Sequence, residues 1–161
     1  MSDKESVSLA YDLFHEAYQY QIEGEFEAAI DLYQRSIDTY PTAEAHTFLG
    51  WAFSYQGKLD EAIEECKKAI AIDPDFGNPY NDIGAYLLES SKAEEAVPWL
   101  LKAAKSRRYD NYHYPHYNLG RAYIALEQFN RAREEFERAL RICPKYDLAA
   151  DALAVLKKCI Q

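Results

Sequence analysis

Apolar residues recur along this chain at three- and four-residue spacing, in paired blocks punctuated by glycine or proline. That periodicity predicts amphipathic α-helices joined by short turns. The clearest pair runs from His116 to Pro144, with Leu119-Gly120, then Tyr123, Ala132, Phe136, Ala139 and a closing Pro144. Gly120 and Ala132 are small enough to let two antiparallel helices approach, and Leu119, Tyr123 and Phe136 fill the space beside them. Pro144 stops the second helix because it cannot continue the hydrogen-bond ladder. The series recurs upstream as Leu49-Gly50, Phe53, Ala62, Ala69 and Pro74, with Cys66 where Phe136 stands. Ile83-Gly84, Leu87, Ala96, Leu100 and Ala103 form a third copy, with Arg108 at the closing position. Leu13, Ala17, Tyr20, Ala29, Tyr33 and Pro41 form a fainter first copy. Prolines 41 and 74 lie 33 residues apart, whereas glycines 84 and 120 lie 36 apart, so a two-residue insertion separates the third and fourth copies.

The helix boundaries follow from caps and breakers. The first helix begins within Ser2 to Ser8, where Ser2 and Glu5 have capping-box spacing, and runs to about Glu23. Gly24 breaks it, and Glu25 to Asp38 forms its partner, with Ala28, Ala29, Leu32, Ser36 and Ile37 inward. Thr42 caps the next helix. Ala43 to Gln56 and Leu59 to Ile72 follow, joined through Gly57. Asn78-Pro79 predicts a capping side chain followed by proline at the first helical position, and Pro115 is its counterpart in the fourth copy. Ser91 and Glu94 suggest a further capping box, and Pro98 falls inside the helix after it, bending it or removing a hydrogen bond. A last helix, Tyr146 to about Ile160, turns Leu148, Ala152, Leu153, Val155 and Leu156 inward and Asp147, Asp151, Lys157 and Lys158 to water, as a terminal cap would.

The order L-G-x-x-Y, A-x-x-x-F and proline resembles the tetratricopeptide repeat, a helix–turn–helix unit of about 34 residues. The resemblance implies an all-α, right-handed superhelical solenoid of four repeats, 10–42, 43–76, 77–112 and 113–146, with a capping helix over 146–160. The whole of 1–161 is then expected to form one domain.

Composition narrows the function. No run approaches the roughly 18 apolar residues of a membrane span, and the start MSDKESVSLAYDLF has no apolar signal region. Cys66, Cys143 and Cys159 form no C-x-x-C pair. The expectation is a cytoplasmic protein with structural thiols and no membrane partner. The formal charge of −9 is uneven: residues 1–99 carry 6 basic and 20 acidic side chains, residues 100–161 carry 12 and 7. This is either a set of solvated faces or a polar axis that orients a partner or another copy. The acidic total disfavours nucleic acid.

Chemistry is scarce. No phosphate loop, metalloprotease helix or nucleophile elbow is present. His113 and His116 are three apart at a helix start, with no third metal ligand beside them in sequence. His116, like His46, is read as packing, and no metal or cofactor is expected. Glu64, Glu65, Glu94 and Glu95 lie on second helices, expected to face outward, where nothing perturbs their pKa. Cys66 is read as a buried thiol. No enzyme is expected.

The resemblance implies that first helices line a concave groove holding a partner's peptide or helix. The positions bordering it read Tyr11, Phe14, His15, Tyr18, Gln21 and Ile22 in repeat one. They read Glu44, Thr47, Phe48, Trp51, Ser54 and Tyr55 in repeat two. Repeat three gives Asn78, Asn81, Asp82, Ala85, Leu88 and Glu89, and repeat four gives Tyr114, Tyr117, Asn118, Arg121, Ile124 and Ala125. Aromatics crowd these positions, and Asn81, Asn118 and Arg121 offer donors to a peptide backbone. The family's carboxylate clamp reads here Phe14, Tyr18, Phe48, Asn78 and Asp82, or one repeat on Thr47, Trp51, Asp82, Tyr114 and Asn118. Neither set holds a lysine or arginine. The expected partner is therefore an apolar, aromatic or proline-containing segment or an amphipathic helix, and the protein an adaptor. Self-assembly into a scaffold through contacts of opposite charge is the alternative. The stretch 106–117, with Tyr109, Tyr112, Tyr114, Tyr117, Arg107 and Arg108, is either packing or a second contact patch.

Overall fold

The structure, a computed structural model, describes residues 2–160. Its described residues form nine α-helices and no strand, with one isolated parallel bridge between Phe76 and Arg108. The chain divides into two compact units, Met1–Pro74 and Asp75–Gln161.

The first unit holds α1 (Asp3–Ile22), α2 (Phe26–Thr39), α3 (Ala43–Tyr55) and α4 (Leu59–Ile72), each packed on the next. The Ser2–Glu5 capping box forms, and the Thr42 hydroxyl accepts from Ala45 N at 3.1 Å to start α3. Leu13, Ala17, Ala29, Leu32, Tyr33, Leu49 and Ala52 make the core, flanked by Phe14, Phe48 and Phe53. Polar ties cross it: Ser36 donates to the Ala10 carbonyl at 2.7 Å, and Tyr33 OH to Gln21 Oε1 at 2.7 Å.

The second unit holds α5 (Asn78–Glu89), α6 (Ala93–Lys105), α7 (His113–Ala125), α8 (Phe129–Ile142) and α9 (Asp147–Ile160). Its helices meet at the small residues of the repeat. A Cβ at Gly120 would lie 2.4 Å from the Phe136 ring, and one at Gly84 2.3 Å from Leu100, so glycine sets the spacing of each helix pair. Fully buried Ile83, Leu100, Leu119 and Phe136 fill that space, each side chain contributing about 1.5–3 kcal/mol.

Three local expectations need correction. Asn78 is not a cap: Gly77 stands at the N-cap of α5 without a side-chain hydrogen bond, and Pro79 lies within the first turn. Ser91 does not cap α6 either. It takes φ 59°, doing in this turn what Gly24 and Gly57 do at φ 83° and 75°, and Glu127 does the same at φ 57°. The last helix buries Ala149, Leu153 and Leu156, but leaves Leu148 56% and Val155 63% exposed. Its apolar residues therefore divide between two faces.

The inserted loop between α6 and α7 is a strut inside the second unit. Gly77 N donates to the Arg108 carbonyl and Arg108 N to the Asp75 carbonyl, at 2.9 and 3.0 Å. The Arg108 guanidinium lies 4.0 Å from the Phe76 ring centre. Tyr109 is buried against Tyr112, whose hydroxyl donates to the Ser106 carbonyl at 2.6 Å. Packing accounts for these two tyrosines; Arg107 remains exposed.

Candidate functional site

Helical spacing places Tyr11, Phe14, His15 and Tyr18 on one side of α1, and Phe48, Trp51 and Tyr55 on one side of α3. The structure joins them edge to face. Ring centres run Tyr11–His15 at 4.2 Å, His15–Phe14 at 5.5 Å, Phe14–Phe48 at 5.2 Å, Phe48–Trp51 at 5.6 Å and Trp51–Tyr55 at 5.7 Å. Tyr18 joins at Phe48, and Tyr55 stacks on Phe26 at 4.9 Å, a ring the sequence did not single out. Tilted and T-shaped contacts of this kind fix rings in place. Phe14, Tyr18, Phe48 and Trp51 are half-buried, whereas His15 is exposed and Tyr11 is 63% and Tyr55 57% exposed at the two ends. Gln21 and Thr47 are packing positions instead. Both are buried, Gln21 holding Tyr33 OH and Thr47 donating to the Ala43 carbonyl at 2.7 Å.

In the second unit the polar candidates are tied to one another. Asn118 Nδ2 donates to Asn81 Oδ1 and Arg121 Nη1 to Asn118 Oδ1, each at 3.0 Å, and both asparagines are only 7% exposed. Asn81 also hydrogen-bonds the neighbouring Asp82 carboxyl. Asp82 keeps some residue-level exposure, yet its carboxyl is enclosed, and burial pushes it up to about 7 against the opposing pull of Asn81. Burial also raises the Tyr109 hydroxyl, helped by the nearby Asp82 charge.

Tyr114 and Tyr117 converge on Tyr146 at 5.6 and 5.3 Å, and His113 packs on the same ring at 4.9 Å, its pKa lowered by burial. Tyr146 was legible only as the start of the last helix. Beside it, α7, α8 and α9 border an open cleft of 620 Å³ lined by Tyr117, Arg121, Phe129, Leu148, Val155 and Cys159 among others. The exposed apolar face of α9 is one wall of this cleft.

His46 and His116 do more than fill space. His46 Nδ1 lies 2.6 Å from Glu65, and His116 Nδ1 2.6 Å from Glu135, with Lys68 and Arg138 holding the second carboxylate oxygens at 2.6 and 2.7 Å. The outward reading of Glu65 was wrong: it is buried, while Glu64, Glu94 and Glu95 are exposed. Burial alone would raise the Glu65 pKa, but hydrogen bonds and charge from His46 and Lys68 hold it below the usual range. Tyr80, Trp99 and Lys102 occupy the same positions in repeat three, with rings 6.2 Å apart and Lys102 Nζ 5.0 Å from the Trp99 centre. Leu13, Leu32 and Arg35 occupy them in repeat one. The three-residue set is a cross-helix clasp, polar and alike in copies two and four, aromatic in copy three and aliphatic in copy one.

Among the described residues no three histidine, cysteine or carboxylate side chains come together as a metal site, and no helix is long and apolar enough to cross a membrane.

Tetratricopeptide repeat models match residues 43–76 and 113–146. The type IV pilus assembly protein PilF of Pseudomonas aeruginosa is 32% identical over 101 residues, 63% of this chain and 40% of that protein. The chain spans less than half the length of the curated relatives it matches. A solved structure from the functional characterisation of Pseudomonas aeruginosa pilF superimposes with a TM-score of 0.89 at 26% identity, over 94% of this chain and 69% of that one. The first repeat domain of Spaghetti (RPAP3), solved bound to the HSP90 peptide SRMEEVD, has a TM-score of 0.68 at 24% identity, over 73% and 92%. Repeats of this kind mediate contacts between proteins. The fold is an all-α repeat solenoid, and the chain belongs to the tetratricopeptide repeat family.

Proposed function

We propose that this protein is a non-catalytic adaptor whose first-helix face binds a peptide segment or helix of another protein. The observation that carries this reading is the run of joined, partly exposed rings from Tyr11 through Phe14, Phe48 and Trp51 to Tyr55. Phe14 and Phe48 also pack on the core, but Tyr11 and Tyr55 extend the run into solvent, and rigid aromatic area with little entropy to lose is what interfaces use. In the second unit the same role falls to Tyr114, Tyr117 and Arg121, with Asn81 and Asn118 as an ordered polar floor. Likeness to a pilus assembly protein over most of the chain supports a role in bringing protein subunits together.

An acidic peptide of the kind seen with RPAP3 does not suit this chain, since neither set of clamp positions supplies a lysine or arginine. The test is affinity capture from native extract with wild type, Trp51→Ala with Tyr55→Ala, and Arg107→Glu with Arg108→Glu as baits. A protein retained by wild type and by the charge variant, but lost with the ring variant, supports the adaptor reading. Loss only with the charge variant moves the site to the 106–117 loop. Self-assembly is the second reading, favoured by the uneven charge; it requires oligomers in light scattering that dissociate as salt rises.

A further inference from the structure

The charges around the ring face indicate what kind of segment it takes. Residues 1–74 contain 15 acidic and 5 basic side chains, a net −10, while the remainder of the chain is almost balanced. None of those few cations covers a ring of the proposed face. Lys67 and Lys68 pair with Glu64 and Glu65 on α4, Arg35 lies 3.8 Å from Asp31 on α2, and Lys58 sits over Phe53 in a turn. The remaining one, Lys4, is in the first turn of α1, and α3 contains no lysine or arginine. Exposed Asp12 and Glu16 lie on α1 turned off the ring side, and exposed Glu23 stands at its C-cap, so their charge reaches the rings as a field rather than as contacts.

Aromatic faces carry the negative end of the ring quadrupole, and a cation over such a face is attracted, more so when the pair is shielded from water. This chain uses that contact at Phe53, Phe76, Trp99, Tyr117 and Tyr123, each with a lysine or arginine of its own above the ring. Among the described residues, no lysine or arginine lies over Tyr11, Phe14, Tyr18, Phe48, Trp51 or Tyr55. An acidic surround raises the local concentration of a positively charged partner and repels a negative one.

We propose that the ring face of the first unit binds a cationic segment of a partner protein, in which arginine or lysine side chains alternate with apolar ones. The apolar side chains pack between the rings, and the cations cover Trp51, Tyr18 and the exposed Tyr11 and Tyr55 within the field of the unit's acidic surplus. This inference rests on the adaptor reading and adds the chemistry of the occupant.

The test uses the full chain and four fluorescein-labelled peptides of about twelve residues, a length that spans a groove when extended. Each alternates leucine with arginine, lysine, glutamine or glutamate, and binding is read by fluorescence anisotropy. The arginine and lysine peptides are expected to bind at least about tenfold tighter than the glutamine peptide, with affinity falling several-fold from about 50 to about 300 mM salt. The glutamate peptide is expected not to bind. Tyr11→Ala with Tyr55→Ala, at exposed positions that leave the core intact, is expected to weaken the cationic peptides at least about fivefold. Glu16→Lys with Asp12→Lys is expected to weaken the same peptides with unchanged melting temperature.

Equal binding of the glutamine or glutamate peptide, lost in the ring variant, overturns the cationic occupant and leaves the adaptor reading standing. Binding of the cationic peptides that survives the ring variant is diffuse charge attraction and also overturns it. If no peptide binds in a ring-dependent way, both the inference and the use of this face by the adaptor fail. Recovery of oligomers that exclude the peptides identifies another copy of the chain as the occupant and overturns it as well.

Discussion

Glu65 and His46 occupy positions that repeat one fills with Leu32 and Leu13, which makes their energetics testable against a template within the same chain. Removing one member leaves the other buried without its partner. Glu65→Ala is therefore expected to cost about 3 kcal/mol, whereas His46→Leu with Glu65→Leu, copying repeat one, is expected to lie within about 1 kcal/mol of wild type. Urea melts of the four proteins in the cycle give the coupling. The sign of the pH effect follows from the lowered Glu65 carboxyl: its contribution is present above the ordinary carboxylate range and is lost as pH falls through its folded value. Asp82 acts in the opposite sense. Its folded pKa is raised to about 7, so the folded state holds a proton that the unfolded chain has released, and stability falls as pH rises from about 4 to about 7. Asp82→Asn is expected to stabilise the protein by roughly 1–3 kcal/mol at pH 8 and to change little at pH 4, measured by thermal melts at both values. Sequence periodicity identified the small residues and the core slot of Cys66, but not the clasps. The partners lie 19 residues apart on different helices, and only the copies compared side by side show that the two positions meet in both repeat two and repeat four. Reading second helices as outward-facing missed Glu65 because it sits one residue before Cys66, at the edge of the inward stripe.

At the scale of elements, the helix ends were legible where side chains cap them, as at Ser2 and Thr42, and less so where the turn sets the boundary. Ser91 looked like a cap because serine favours that role; the left-handed backbone of the turn claimed it instead. The last helix shows why apolar spacing alone does not define a buried face. Leu148, Ala152 and Val155 line the cleft beside α7, Ala149 and Leu153 form the packed side, and buried Leu156 borders both. Leu153→Ala or Leu156→Ala is expected to cost about 2–4 kcal/mol, and Leu148→Ser or Val155→Ser less than about 0.5 kcal/mol, by denaturant midpoints. Equal costs at all four positions would contradict this division of α9. The 106–117 stretch, ambiguous in sequence, divides in the same way: Tyr109 and Tyr112 build the strut, and Tyr114 and Tyr117 turn toward Tyr146.

At the scale of the molecule, four copies of one helix pair explain why the fold was readable from a handful of small, aromatic and proline positions. The candidate face was readable in part. First-helix positions pointed to these rings as a candidate face, but not to their touching in one run or to Phe14 and Phe48 also packing on the core, because those contacts join α1 to α3 across 34 residues, from Phe14 to Phe48. The occupant was narrowed by charge rather than by motif, since the repeat specifies a scaffold on which many sites can be built. The most direct measurement is a hydrogen-exchange footprint of the protein with its captured partner bound. Slowed exchange in α1 and α3, centred on Tyr11–Tyr18 and Phe48–Tyr55, is the predicted result. Protection confined to 106–112 or to the outer helices α2 and α4, with α1 and α3 unchanged, would contradict the account.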